Sequence, residues 1–301
     1  MGAIEESATW RHIAAPSVQD IEALSKEYDL PMYYFEGVSD LDEPSRLERL
    51  ANGIFIIIDF PYVKRIENDM NLYDTFPISI IINNGKMITI TAAHHEYIEE
   101  FRNRFDKSDD LERKPGIIAM QLLQYIMKSY IRDLREIRED LTHIEDRFLK
   151  RVYNEDFRKL FTLEKSIIHI KTALTGFNSM LNKMSERQYL QIETDSEMEL
   201  LFDNVQIESQ QASEMATIYR EVLSSAMDVA SSLVSNTLNQ IMKRLTSVTI
   251  IISIPTLITG FFGMNVGLPF QDLSIAVLII VVISVLLCYL TVLYLRRKDL
   301  L

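Results

Sequence analysis

Asn239, Met242, Leu245, Thr249, Ser253 and Thr256 follow one another at steps of three or four residues. On a helix of about 3.6 residues per turn, that spacing lines them up along one face. A row of neutral oxygens has two uses. Hydroxyls can bond back to their own helix or hold neighbouring helices together inside a membrane. They can also line a water-filled pore, with Met242 and Leu245 as apolar constrictions. A further amide, Asn265, closes the tripeptide Gly263-Met264-Asn265 just beyond this stripe. Its oxygen is an acceptor suited to the water shell of a cation. Other candidates for chemistry are sparse. His94 and His95, read in a strand, point to opposite faces, so one metal ion could not easily use both, and they are expected as a surface pair. Cys288 is the single cysteine, which excludes a disulfide framework and a zinc site of several thiolates. No GxxxxGK[ST] sequence occurs, which disfavours an ATP-driven pump. No catalytic constellation is evident, and an enzyme is not expected.

The stripe runs into a stretch that can cross a bilayer. From Leu245 to Gln271 no residue is charged, and Asp272 alone separates this stretch from a second one, Leu273 to Leu295. Helices over 245–262 and 273–295 would be roughly 27 and 35 Å long, against a hydrocarbon core of about 30 Å. A cleaved signal is excluded by position, since the opening MGAIEESATW is polar and acidic. Lys243 and Arg244 precede the pair, Arg296, Arg297 and Lys298 follow it, and the loop 263–272 has no basic residue. The positive-inside rule then makes this a helical hairpin with both termini in the cytoplasm. The whole chain carries 31 basic and 43 acidic residues, a net charge of −12. The excess of acid lies in residues 1–240, because the basic residues of the C-terminal end outnumber Asp272 and Asp299. Such a body repels phosphate backbones, so no nucleic-acid partner is expected, and it attracts cations.

Ahead of the apolar end, residues 1–115 read as an α+β domain. Ile21, Leu24 and Tyr28 share one face of a helix over 18–28, after Pro16 and Ser17. The run 53–61 is a β-branched strand bounded by Gly53 and Pro61, and 78–92 is a hairpin around Asn83-Asn84-Gly85. After Pro115 no proline appears until Pro255, so residues 116–244 read as long cytoplasmic helices that include a stalk. The pattern from Ile117 to Glu186 is interrupted only at Gly176 and offers charge pairs such as Arg132 with Glu136. A second pattern runs without Gly or Pro from Asp195 to Ile254. One helix over that span would be roughly 90 Å long. It must pack against the preceding helix or against copies of itself, which points to an oligomer. Residues 245–301 complete the chain as a two-helix pore region with a short basic tail.

Gly263-Met264-Asn265 follows LITGFF, stands at the end of the first of two C-terminal helices and precedes a short loop with Pro269. With the charged stalk and the acidic domain before it, this arrangement resembles the CorA family of magnesium channels. The resemblance covers essentially the whole chain and is strongest from Asn236 onward. Residues 42–61, DEPSRLERLANGIFIIIDFP, resemble the family stretch in which a turn with Pro and Arg leads into a buried strand. Phe262 stands where the family usually has tyrosine, and the loop carries one acid, Asp272, where many relatives have more. The resemblance implies a homopentameric channel of the plasma membrane. Five Asn265 amides would recognise hydrated Mg2+, which would enter passively. Divalent ions between neighbouring cytoplasmic domains would hold the channel closed, with Asp203 or the adjacent Asn204 as a ligand of regulatory Mg2+. The partners implied are further copies of the chain, membrane lipid and hydrated divalent cations, with no organic cofactor. Two alternatives stay open: a zinc transporter of the related subgroup, which shares the hairpin and a similar tripeptide, and a non-conducting, membrane-anchored scaffold or sensor, which has no need of a polar stripe.

The basic flanks predict that protease added to sealed inverted vesicles digests the N-terminal domain, whereas right-side-out vesicles protect it. Digestion confined to right-side-out vesicles would reverse the hairpin.

Overall fold

The computed structural model describes residues 4–6, 9–40, 43–106, 114–148, 152–186, 189, 195–264, 275–298 and 300, and forms two compact units, Met1–Met227 and Asp228–Leu301. In the first unit, strands β1 (Ile4–Glu6) and β2 (Trp10–Ala14) lead to helices α1 (Val18–Tyr28) and α2 (Tyr33–Glu36). Then come β3 (Arg46–Leu50), β4 (Gly53–Glu67), β5 (Met70–Asn83) and β6 (Lys86–Thr91). The sheet order is β1-β2-β6-β5-β4-β3, antiparallel except for the parallel pair β2 and β6. Helices α3 (Glu96–Asp106), α4 (Pro115–Phe148) and α5 (Asn154–Glu186) follow, and α6 (Ser196–Phe262) begins in this unit and continues into the second.

The apolar runs become strands buried on both sides. Phe55, Ile57, Ile81, Ile88 and Ile90 pack with Ile21, Leu24 and Phe35 of α1 and α2. Their alternating neighbours Ile54, Ile56 and Ile58 are equally buried and face the side that α4 and α5 cover. Continuous burial on both faces is why Ile54 to Ile58 show no polar alternation. The helix over 18–28 is nucleated by a capping box: Asp20 N–H donates to Ser17 Oγ at 3.2 Å, and Ser17 N–H donates to Asp20 Oδ2 at 2.9 Å. Asn84 and Gly85 take positive φ of 48° and 74°, as expected of the two-residue hairpin turn.

Several expectations are corrected. The strand begun at Gly53 does not stop at Pro61; it runs to Glu67, pairs Pro61 with Thr75 and carries an irregularity between Val63 and Arg65. Its turn is Asn68-Asp69, with φ of 55° and 60°, conformations that short polar side chains tolerate. Asn68 Nδ2 donates to Thr162 Oγ1 of α5 at 3.0 Å and fastens the turn. The helical pattern from Ile117 breaks between Phe148 and Asn154 rather than at Gly176. There the buried Asp156 accepts from Tyr153 N–H at 2.9 Å and lies 2.8 Å from Arg147, a side-chain cap that starts a new helix. Gly176 sits inside α5, where a Cβ would lie 3.1 Å from the Ser45 side chain, so the glycine provides close approach. Arg132 pairs with Asp133 at 3.1 Å instead of Glu136, which accepts from the Tyr73 hydroxyl. His94 and His95 follow β6 outside any strand: His94 pairs with Glu99, and His95 stacks on Phe76 with centroids 3.5 Å apart.

Helix α4 carries a buried acidic group. Asp133 is 2% exposed and its Oδ2 has no hydrogen-bond partner. Burial pushes its carboxyl up to about 7, against the pull of Arg132, and burial pushes Asp59 up to about 6. The folded protein therefore holds these protons more tightly than the unfolded chain. The stability they contribute is present below pH ~4 and is lost as pH rises through about 7, at up to about 1.4 kcal/mol per pH unit for one group. Asp133→Asn should accordingly stabilise this unit at pH 8 by on the order of 1 kcal/mol or more and flatten its dependence between about pH 4 and 7. Fluorescence of Trp10, the only tryptophan and 3% exposed, reads this unit in the full-length protein. An unchanged slope would refute the assignment.

Candidate functional site

In the second unit the residues of the stripe are exposed on α6: Asn239, Met242, Leu245, Thr249, Ser253 and Thr256. Their hydroxyls share one arrangement. Thr249 Oγ1 donates to Leu245 O at 2.8 Å, Ser253 Oγ to Thr249 O at 2.8 Å and Thr256 Oγ1 to Ile252 O at 3.0 Å. With each proton committed to the helix itself, the oxygen lone pairs are what the face offers. Such a surface accepts hydrogen bonds from the outward-pointing hydrogens of a hydrated cation and has little to give an anion. Thr249, Ser253, Thr256 and Gly260 line a shallow groove that ends at Phe261 and Met264.

Helix α7 (Ala276–Arg297) covers a different face. Ser284 and Leu295 are buried, and Cys288, on the same side of α7, reaches the Ile251 carbonyl with Sγ at 3.7 Å. Ser247, 1% exposed, donates to Leu300 O at 2.6 Å and so holds the basic tail beside the start of the first apolar segment. At about 100° per residue, Thr249, Ser253 and Thr256 lie about 140–160° round the helix from Ile251. The seam with α7 and the row of acceptors are thus on nearly opposite sides of α6. Arg296 and Arg297 occupy the last turn of α7, where cations complement the helix dipole.

α6 ends at Phe262, with Gly263 N–H donating to Thr259 O at 2.9 Å and Met264 N–H to Phe261 O at 3.3 Å. A Cβ at Gly263 would lie 3.1 Å from Thr259 O, so the glycine here provides room beside a carbonyl. Met264 is exposed. Asn265 lies outside the described residues, as do Pro269 and Asp272.

Asp203 is exposed on the part of α6 in the first unit, and Asn204 beside it is half-buried. Among the described residues no group of three or more His, Cys, Asp or Glu is placed to hold a metal ion. A ligand set at Asp203 would therefore need groups beyond the described residues of one chain. His12 is buried against Thr89, with Nδ1 and Oγ1 2.9 Å apart, and burial takes its pKa down to about 4, which keeps the ring neutral. Pro255 lies within an unbroken helix, in keeping with the expected span 245–262. One feature escaped the reading of the sequence: Leu200, Ile207 and Ile218 form an exposed apolar row on α6 in the first unit. The spacing of that row, seven and then eleven residues, was legible.

A family model described as "CorA-like Mg2+ transporter protein" matches residues 5–297. The chain belongs to the CorA family. It is thus a membrane transport protein and not an enzyme. The cobalt/magnesium transport protein CorA of Methanocaldococcus jannaschii is 29% identical over 259 residues, which are 85% of this chain and 79% of that protein. The complete structure of the CorA magnesium transporter from the same organism is similar with a TM-score of 0.83 at 28% identity, covering 96% of this chain and 90% of that one. The α/β domain, long helix and C-terminal apolar helix expected from the sequence are those of the CorA fold. The cytoplasmic domain of ZntB from Vibrio parahaemolyticus shares the fold alone, with a TM-score of 0.58 at 14% identity over 75% of this chain and 88% of that one.

The geometry of α6 predicts how introduced thiols react in membranes. Cysteine at Thr249, Ser253 or Thr256 should be modified by a water-soluble thiol reagent, while the native Cys288, half-buried in the seam, stays unmodified. Equal labelling of Cys288 would contradict the two-sided arrangement.

Proposed function

We propose that this CorA protein is a homopentameric channel that admits Mg2+ passively across the plasma membrane, with both termini in the cytoplasm. The observation that carries the reading is the tripeptide Gly263-Met264-Asn265 at the end of a membrane helix on whose exposed face the hydroxyls of Thr249, Ser253 and Thr256 present their oxygens as acceptors. Mg2+ holds its waters at about 2.0–2.1 Å and gives them up reluctantly. An entrance that selects it does best to recognise the hydrated ion. Five Asn265 amide oxygens round an axis would accept hydrogen bonds from those waters, and the hydroxyls of Thr256, Ser253 and Thr249 would continue the path past Leu245 and Met242 to Asn239. Neutral oxygens bind weakly enough to release the ion, whereas a ring of carboxylates would retain it. The membrane potential supplies about 2.3 kcal/mol per charge per 100 mV, hence ~4.6 for a divalent ion. Internal Mg2+ bound between cytoplasmic domains, with Asp203 as one ligand, would hold the channel closed. The names of the relatives support magnesium and cobalt as cargo. The likeness to ZntB is one of fold and does not favour zinc.

Flux into proteoliposomes, with Mg2+ and Zn2+ compared under the same pH gradient, tests the reading. Uptake of Zn2+ without Mg2+ would replace it with the zinc carrier, and absence of both with the scaffold. The solubilised protein should have the light-scattering mass of five chains; a monomer or dimer at all concentrations would refute the pentamer. Asn265→Ala should abolish Mg2+ uptake while leaving assembly intact. Asn265→Asp, which adds up to five negative charges round one axis, should bind divalent ions more tightly and pass them more slowly or less selectively. Undiminished selective flux through the alanine variant would move selection to Thr256 and Ser253.

A further inference from the structure

Pro255 has no N–H, so the carbonyl of Ile251, four residues earlier, loses the donor that the helix would otherwise supply. The proline ring also crowds that carbonyl and tilts it away from the helix axis. In the hydrocarbon of a bilayer no water replaces the missing donor. Ile251 is half-buried on the seam with α7, and there its carbonyl meets the thiol of Cys288, with Sγ to O at 3.7 Å, a separation of sulfur's length. The serine and the threonine of that helix are committed to their own backbone: Ser284 Oγ donates to Ile280 O and Thr291 Oγ1 to Leu287 O, each at 2.8 Å. Among the described residues, Cys288 is the side chain of α7 whose hydrogen bond crosses to α6.

We propose that Cys288 is a positioning residue that closes the gap left by Pro255 in the hydrogen-bond ladder of α6, and so fixes the stripe-bearing helix against α7. The choice of thiol over hydroxyl follows from the same geometry. A serine in a membrane helix folds back on the carbonyl one turn earlier, as Ser284 does, whereas the longer C–S bond and the weaker hydrogen bond of a thiol leave it available to a neighbouring helix. The side of α6 that carries Thr249, Ser253 and Thr256 stays unencumbered, because the repair is made from the opposite side. A proline can therefore stand in this helix without an additional polar group entering the stripe. The inference requires the two helices to lie in a membrane, as CorA membership provides, and is independent of which ion is carried.

A double-mutant cycle separates this role from simple packing. In the Pro255→Ala background the alanine N–H occupies the Ile251 carbonyl, so the thiol has nothing left to complete. Cys288→Ala should lower the temperature at which the purified full-length assembly dissociates by several degrees in the wild-type background, and by clearly less in Pro255→Ala. The loss of volume is the same in both backgrounds and cancels. Cys288→Ser should recover part of the loss, because its hydroxyl divides between the two carbonyls. A second readout is available even if Cys288→Ala fails to assemble. As the chain has one cysteine, its infrared S–H stretch is a single band, expected at the lower frequency of a hydrogen-bonded thiol in the wild type and shifted upward in Pro255→Ala. An equal cost of Cys288→Ala in both backgrounds, or a wild-type band at the free-thiol frequency, would overturn the proposal. Neither outcome bears on whether Asn265 selects magnesium, so the two readings fail separately.

Discussion

In the hydrocarbon of a bilayer a backbone carbonyl or a hydroxyl has no water to turn to, and leaving one unpaired costs several kcal/mol. The second unit is arranged round that demand. Thr249, Ser253 and Thr256 give their protons to carbonyls one turn back on the same helix. Ser247 is paired with the backbone of the tail, and Thr259 Oγ1 donates to the carbonyl of Pro255 at 2.9 Å. A helix built this way can be polar along one side and still be compatible with a membrane, because these hydroxyls are satisfied before any ion or partner arrives. What remains on the outside is unsatisfied accepting capacity, which is far less costly to bury than an unsatisfied donor and is the half of the hydrogen bond that a hydrated cation needs.

The first unit solves the opposite problem, since water surrounds it and apolar surface is what must be hidden. The inner part of its long β4–β5 ladder is covered on both faces, and several polar groups caught inside are tied to the backbone or to one another. Tyr130 donates to Asp59 O at 2.9 Å, Ser166 accepts from Tyr73 N–H at 3.1 Å, and Trp10 Nε1 donates to Thr89 at 3.0 Å. Along α6 the buried residues Met198, Phe202, Val205, Ser209, Ala212 and Ala216 recur at steps of three and four. The small side chains among them let α5 approach closely enough for Asn178 to bridge Ser209 and Ser213, both at 2.7 Å.

How much of this could be read in advance depended on how local the cause was. The Asn84-Gly85 turn, the Ser17 cap and the two apolar helices follow from neighbours within a few residues, and the sequence carries them openly. Gly176 read as a break because its partner, Ser45, is distant in sequence; only the fold shows that a side chain has no room there. Asn68-Asp69 was missed as a turn for want of a glycine, although both residue types accept positive φ. The pairing of Arg132 could not be foreseen, because its expected partner Glu136 is taken by Tyr73, which β5 brings across from far up the chain. In the candidate site the stripe was legible through its period alone. The seam was not, since Cys288 and Ile251 belong to different helices and a lone cysteine carries no periodic signal.

The parallel pairing of β2 with β6 has a consequence for how the chain comes to be folded. β4, β5 and β6 form consecutive hairpins whose turns close over two residues, so they can assemble as they emerge from synthesis. β2 cannot join them early. Trp10 lies opposite Met87 and Ala14 opposite Thr91, so β2 has no neighbour on that side until β6 exists. During that interval Trp10 and Ile13, both buried in the finished sheet, are exposed to solvent and to other nascent chains. Glu5 and Glu6 before β2 and Asp20 and Glu22 after it carry like charge, which opposes the association of such chains while the strand is unpaired.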